Sequence, residues 1–175
     1  MTDKECNKFA QQLCRAYGAN RRSSQPFSLH LINFDSSGKL AKACSSKCDG
    51  FQDYVIGKHP NSVTECNFTY NDVMYLSPDA TETLESLSAG CIYIIGGLVD
   101  EHLLKNKSLD AANANRFRAV RLPISENVPT KTRNPVLSIN QVIEFLLNYR
   151  DNGNDWKIAA LSTVPKRFLK DAQDV

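Results

Sequence analysis

The strongest constraint on how this chain folds is an alternation. Three short apolar runs, "VMYL" at 73–76, "IYII" at 92–95 and "AVRLPI" at 119–124, are separated by segments with helical signals. Strands that alternate with helices and are apolar nearly throughout build parallel sheets covered on both faces. Ser77-Pro78-Asp79 ends the first run and opens a helix over 81–87, and Ser108 caps a second helix through Leu109, Ala111, Ala112 and Ala114. Upstream, Phe9, Leu13, Ala16 and Tyr17 share one face of a helix over 3–19, and "FSLHLINF" at 27–34 reads as a buried strand in which His30 is a packed histidine. Downstream, Ser138 caps a helix carrying Ile139, Val142, Ile143, Phe145, Leu146 and Tyr149, and a last helix runs from near Asp155 to Val164-Pro165. Residues 39–71 read as an irregular insertion with at most one extra strand. The expected fold class is therefore α/β with a mainly parallel sheet and helices on both faces.

At 175 residues the chain is long enough for one domain, expected to span 1–175. Its 42% hydrophobic and 23% charged content is that of a folded protein, and a net charge of +2 announces no nucleic-acid partner by itself. The distribution says more, since cations gather at Arg15, Arg21 and Arg22, at Arg116, Arg118 and Arg121, at Lys131 and Arg133, and at Lys166, Arg167 and Lys170. Such groups track a phosphate backbone if the fold gathers them on one side, and are solvated surface if it does not. No stretch reads as a signal peptide or a membrane span, so an intracellular protein, cytoplasmic or nuclear, with no membrane partner is expected. The six cysteines lack a repeated Cys-x-x-Cys pair, which argues against a metal site, and they are expected to be free thiols.

In parallel sheets ligands bind beyond the carboxyl ends of the strands, which directs attention to the loops at 77–80, at 96–100 and from 122 onward. "YIIGGLVD" at 93–100 is the most unusual of these: a strand breaks on Gly96 and Gly97 and ends on Asp100. Bare backbone at two successive residues either admits a ligand or allows tight packing, and Asp100 is either an acid-base group or a helix cap. Neither a Gly-x-Gly-x-x-Gly nor a Gly-Lys-Ser/Thr phosphate loop is present, and no serine or cysteine sits in a nucleophile elbow. An enzyme built here would use a bound organic cofactor and one carboxylate.

The ordered set "CRAYGANRR", "YLSPDA", "YIIGGLVDE", "RLPI", "VLSINQV", "DW" and "VPKR" resembles the tRNA methyltransferases that modify N1 of guanosine 9, a branch of the SPOUT superfamily. "GFQDYVI" and "SPDATETLE" are similar to the B form of the animal enzymes. The resemblance implies a SPOUT-type α/β fold with a deep C-terminal trefoil knot over roughly residues 90–150, and S-adenosylmethionine as cofactor, leaving S-adenosylhomocysteine. Carried over position by position, it implies cofactor contacts at Leu76, Gly96, Gly97, Leu122, Pro123, Val136, Leu137, Ser138 and Asn140, and a catalytic carboxylate at Asp100, as base or as hydrogen-bond orienter of N1. It also implies that Gln12, Arg15 and Arg21 touch tRNA or support activity, with Arg22, Lys131, Arg133, Lys166 and Arg167 as further basic candidates. Members of this branch act as monomers. They carry a Lys/Arg-rich N-terminal extension that does not match here, so weak tRNA affinity is expected. Adenosine at position 9 is an alternative substrate. An RNA-binding module that keeps the knot without turnover, or a small-molecule-binding domain unrelated to RNA, are the alternatives to the enzyme.

Overall fold

A computed structural model describes residues 1–66, 68, 72–99, 106–132 and 134–170. The chain opens on helix α1 (Asp3–Arg22), capped by Thr2, whose hydroxyl accepts the Glu5 N–H while the Glu5 carboxylate accepts the Thr2 N–H. It continues through β1 (His30–Leu31), α2 (Lys39–Lys47), a 3₁₀ turn at Phe51–Asp53 and β2 (Gly57–Lys58). Then come β3 (Asp72–Leu76), β4 (Glu82–Thr83), β5 (Cys91–Ile95), α3 (Lys107–Ala114), β6 (Arg118–Arg121), α4 (Ile139–Asp151), α5 (Trp156–Thr163) and a 3₁₀ turn at Lys166–Phe168.

All strand pairings between these elements are parallel, as the alternation required, but they fall into two sheets. The larger has the order β4-β6-β3-β5, and the smaller pairs β1 with β2. In the larger sheet β3 registers Leu76 against Ile95 of β5 and against Val120 of β6, so three strand ends come together at one edge. Leu76, Leu84, Val120 and Leu146 form the buried centre under α4, with Met74, Tyr93, Ile95 and Val142 packed around them. Beside it Phe145, Tyr149 and Trp156 stack, the last two with ring centroids 3.6 Å apart, and bury α5 against α4. A separate cluster, with Phe9, Ala10, Leu13, Phe34, Cys44 and Phe51 among its buried members, lies between α1 and α2.

Four expectations are corrected. Residues 81–87 are not a helix: Glu82 and Thr83 pair with Val120 and Arg121, and the Leu84 N–H donates to the Arg121 carbonyl, so Leu84 reaches the core from an edge strand. The 27–34 strand shrinks to two residues because the Asn20 side chain claims the Phe27 backbone, accepting its N–H at 2.8 Å and donating to its carbonyl at 2.9 Å, and because Asn33 turns left-handed at φ 54°. His30 is exposed rather than packed, its Nδ1 lying 2.9 Å from Nε2 of His59. Finally, not all the cysteines are free. The packing of α1 on α2 brings the Cα atoms of Cys14 and Cys48 to 5.5 Å, and the two form a disulfide that spacing in sequence could not reveal. Among its described residues, the insertion at 39–71 carries the strand β2 together with the helix α2.

Candidate functional site

Beyond the carboxyl ends of β3 and β6 lies a shallow, open-sided cleft. One wall is the end of β3 and its turn, Leu76, Ser77 and Pro78, and a second is the end of β6 and its continuation, Arg121, Leu122 and Ile124. The third is the segment that leads into α4, Asn134 to Leu137, backed by Val142. The lining, mostly apolar with a few polar groups at the edge, suits part of a small organic ligand.

Each wall is held in place by local chemistry. The buried Ser77 hydroxyl accepts hydrogen bonds from the Asp79 N–H and from the Ser108 hydroxyl, at 3.2 and 2.8 Å, tying the β3 turn to the first turn of α3. The Asp79 carboxylate accepts the Asn106 N–H at 2.9 Å. Asn127 Nδ2 donates to the Pro123 carbonyl at 2.6 Å and fixes the bend after β6. Arg121 is paired with Glu126, whose carboxylate accepts its guanidinium hydrogen bond and raises its pKa further above the ordinary range. The third wall ends in a capping box: the Ser138 hydroxyl faces the N3 backbone, and the Gln141 side chain accepts the Ser138 N–H at 3.0 Å.

Of the expected cofactor residues, Leu76, Leu122, Val136 and Leu137 line the cleft itself. Pro123 is buried between two lining residues. Ser138 and Asn140 form the first turn of α4, with Asn140 buried and its side-chain oxygen accepting from Ser138 at 2.9 Å. Gly96 and Gly97 leave β5 next to the end of β3 and outside the lining residues. A side chain at Gly97 would come within 3.3 Å of the Phe9 ring, and one at Gly96 within 3.4 Å of the Tyr75 hydroxyl, so close packing is part of why both are glycine. Burial raises the pKa of that phenol and keeps it protonated. Asp100 and Arg133 lie outside the described residues. Ser77, Pro78 and Ile124 also line the cleft and lie in the strand-end loops that sequence reasoning singled out, whereas Arg121, Asn134, Pro135 and Val142 line it without having been named as site residues.

The basic candidates fall on two surfaces. Arg15, Arg21 and Arg22 are exposed on α1, whereas Gln12 of the same helix is half-buried and its side-chain oxygen accepts the Ile139 N–H at 2.9 Å. Lys131, Lys166 and Arg167 are brought together although 35 residues separate the first two in sequence (166 − 131). A short antiparallel bridge, Thr130 to Leu169, and the Lys131 N–H bonding the Phe168 carbonyl at 2.8 Å place the loop beside the last 3₁₀ turn, where Arg167 lies over the Phe168 ring. Among the described residues no group of three or more His, Cys, Asp or Glu is arranged to hold a metal, and no helix is long and apolar enough to cross a membrane.

Parallel α/β architecture with a ligand cleft at the strand ends defines a class of small-molecule-using proteins, and comparison with known proteins narrows it to one family. The family model for tRNA (guanine(9)-N(1))-methyltransferase TRM10/TRM10A matches residues 1–169, and the chain belongs to this family. It is 40% identical over 171 residues to tRNA methyltransferase 10 homolog B of Danio rerio, covering 94% of this chain and 54% of that protein. It is 33% identical over 167 residues to tRNA (guanine(9)-N(1))-methyltransferase Trmt10A of Drosophila melanogaster, covering 95% and 51%. The chain thus spans about half the length of the curated relatives it matches. Among solved structures, full-length spTrm10 in complex with SAH superposes with a TM-score of 0.80 at 30% identity, over 94% of this chain and 88% of that one. A dual-specific Trm10 from Thermococcus kodakaraensis, with a TM-score of 0.66 at 21% identity, shares the fold, which is the SPOUT type expected from the motifs.

Proposed function

We propose that the protein transfers a methyl group from S-adenosylmethionine to N1 of the purine at position 9 of tRNA, most readily guanosine. The observation that carries this reading is the cleft at the ends of β3 and β6, walled by Leu76, Leu122, Val136 and Leu137, in a chain of this family. The site fits the cofactor: apolar walls suit the adenosine, and the positive partial charge at the N-terminus of α4 gives one rim suited to the carboxylate of the methionine moiety. The related spTrm10 was crystallised with SAH, which supports the same ligand here. When bound, the cofactor supplies an electrophilic methyl on a sulfonium. We also read residues 1–175 as one SPOUT domain, with the knot near 90–150, acting as a monomer.

Guanine N1 carries a proton at neutral pH, and a new N–CH₃ bond there requires that proton to leave. Asp100, three residues beyond Gly97, is the carboxylate assigned to this task, either taking the proton or accepting a hydrogen bond that orients N1. The described residues on either side of it in sequence are held in place: Val99 packs on the α1–α2 core, and the Asn106 N–H is accepted by Asp79. Holding the two reacting atoms in line supplies several kcal/mol of the barrier reduction, on the scale of proximity effects. The tRNA is held through its phosphates by Arg15, Arg21, Arg22, Lys131, Arg133, Lys166 and Arg167, with position 9 unpaired to expose its Watson–Crick edge.

The test is methyl transfer from labelled S-adenosylmethionine to unmodified tRNA transcripts bearing G9 or A9, with wild type and Asp100→Asn. Label at N1 of G9 is expected. A loss of about 10²–10⁴-fold in the variant identifies a base, and a smaller loss an orienter. Binding of cofactor with neither transcript labelled would overturn the enzyme reading in favour of a silent RNA-binding domain.

A further inference from the structure

The inward face of α1 touches the start of α4, whose lead-in is one wall of the cleft, and the glycine turn that follows β5. Phe9 lies against Gly97, and one turn later Gln12 reaches the start of α4, 127 residues away in sequence. Gln12 Oε1 accepts the N–H of Ile139, the first residue of α4. The first four N–H groups of a helix have no partner within it, and an N-cap side chain serves the second or third of them. The Ser138 hydroxyl faces the third of these, so Gln12 supplies the acceptor for the first N–H, which an N-cap side chain does not serve. An N–H donor also fixes the orientation of the Gln12 amide, since only its oxygen can face Ile139.

The residues just before this junction, Val136 and Leu137, are cleft wall, and Ile139 itself packs against the α1–α2 core. Displacing the Ile139 backbone by a fraction of an ångström therefore displaces the wall. About one turn along α1 from Gln12, Arg15 is exposed and available to phosphate. We propose that Gln12 is a positioning residue for the cofactor: it sets the first turn of α4 and, through it, the Val136–Leu137 wall, so that α1 joins the RNA-facing cations to the cleft. This rests on the reading of the cleft as the S-adenosylmethionine site. Gln12 then acts in the reaction without touching RNA.

The experiment compares wild type, Gln12→Ala and Gln12→Glu. Affinity for S-adenosylhomocysteine is measured by calorimetry, affinity for a tRNA transcript separately by filter binding, and steady-state constants for both substrates. Losing the acceptor in Gln12→Ala is expected to weaken S-adenosylhomocysteine about 5–15-fold, the scale of one backbone hydrogen bond to a buried donor, and to raise KM for the cofactor more than it lowers kcat. Affinity for tRNA should stay within about twofold, because no phosphate contact is lost. Gln12→Glu keeps an acceptor at the same place and adds a charge favourable at a helix N-terminus, so it should restore cofactor affinity. A carboxylate contacting RNA would instead repel phosphate. Hydrogen exchange reads the same junction in folded protein: amides 136–142 should exchange faster in Gln12→Ala, with the rest of α4 unchanged. Unchanged cofactor affinity in Gln12→Ala, with weakened tRNA binding, overturns the inference and makes Gln12 an RNA contact. Wild type that fails to bind S-adenosylhomocysteine overturns the reading of the cleft as well.

Discussion

The two parallel sheets of this chain are held together by opposite means. The four-stranded sheet buries Leu76, Leu84 and Val120 under α4, and its stability is apolar packing distributed over several elements. The β1–β2 pair has only two residues in each strand, too few to stand alone, and it is kept in place by its surroundings. Beneath it lies the α1–α2 core, where Tyr17 stacks on Tyr54 at 3.8 Å, and that core is stapled by Cys14–Cys48. On its surface His30 and His59 face each other with the Phe68 ring edge-on to both. A sheet with a deep core can leave its strand ends open for a ligand, and the cleft is found there. The stapled unit contributes α1 as a platform and carries none of the cleft's lining residues.

If stability is distributed in this way, damage should sort by region, and the largest damage belongs to the four-stranded sheet. Phe145 is fully buried in α4 and stacks on Trp156. Phe145→Ala should cost about 3–5 kcal/mol in chemical denaturation, and S-adenosylhomocysteine binding should fall with it because α4 backs the third wall. A smaller loss with intact binding would show that the wall is independent of the core beneath it.

The staple comes next. Closing a 34-residue separation restricts the unfolded chain, and disulfides of this kind contribute about 2–4 kcal/mol. Reductant, or the paired substitution Cys14→Ser with Cys48→Ser, should lower the denaturation midpoint by that order while leaving affinity for S-adenosylhomocysteine within about twofold. Affinity falling in step with stability would break the comparison, because α1 would then be transmitting strain to the cleft. That outcome would also strengthen the case for Gln12 as the point of transmission.

What the sequence disclosed divides along the same boundary. β3 and β5 were legible as apolar runs, whereas the run read at 119–124 is only in part a strand: β6 is Arg118–Arg121, and Leu122 and Ile124 beyond it are cleft wall. α4 and α5 were legible because Ser138 and Asp155 are caps whose role is local. The segment at 81–87 was misread because "TETLESL" has the spacing of an amphipathic helix as well as of an edge strand. Its choice is made by the backbone of Val120 and Arg121, remote in sequence. In the stapled unit only α1 was legible, from its apolar face: the disulfide, the Asn20 clamp on Phe27 and the histidine pair are all long-range or side-chain events without period. Leu76, Leu122, Val136 and Leu137 came from motif resemblance, and no periodicity would have singled them out. Gln12 was legible as a residue that matters, but not as the partner of Ile139.

The smallest expected effect is the dependence of the stapled unit on pH. The pKa of His30 is lowered below its ordinary 6.5, first by partial burial and then by repulsion from His59. Its Nε2 is engaged with the Ser28 hydroxyl at 3.0 Å, and its Nδ1 faces His59 Nε2, an arrangement that needs a neutral ring on at least one side. Because the folded pKa lies below the unfolded one, the unfolded chain binds the proton more readily as pH falls. The contribution of the pair is therefore fully present above about pH 7.5, declines as pH falls through 6.5 and toward the lowered value, and is lost below it. Gly57 supplies the control. A methyl group there would come within 2.2 Å of His30 Nδ1 and 2.7 Å of His59 Nε2, so Gly57→Ala must push the rings apart. Proton NMR of the imidazole rings should give His30 a midpoint below 6.5 in wild type and one closer to 6.5 in Gly57→Ala, with the acid-side loss of stability reduced in the variant. An unshifted midpoint in wild type would remove the pair as a contributor and leave the α1–α2 core and the disulfide to hold the small sheet. Cofactor affinity should be the same for both proteins at neutral pH, since neither histidine borders the cleft.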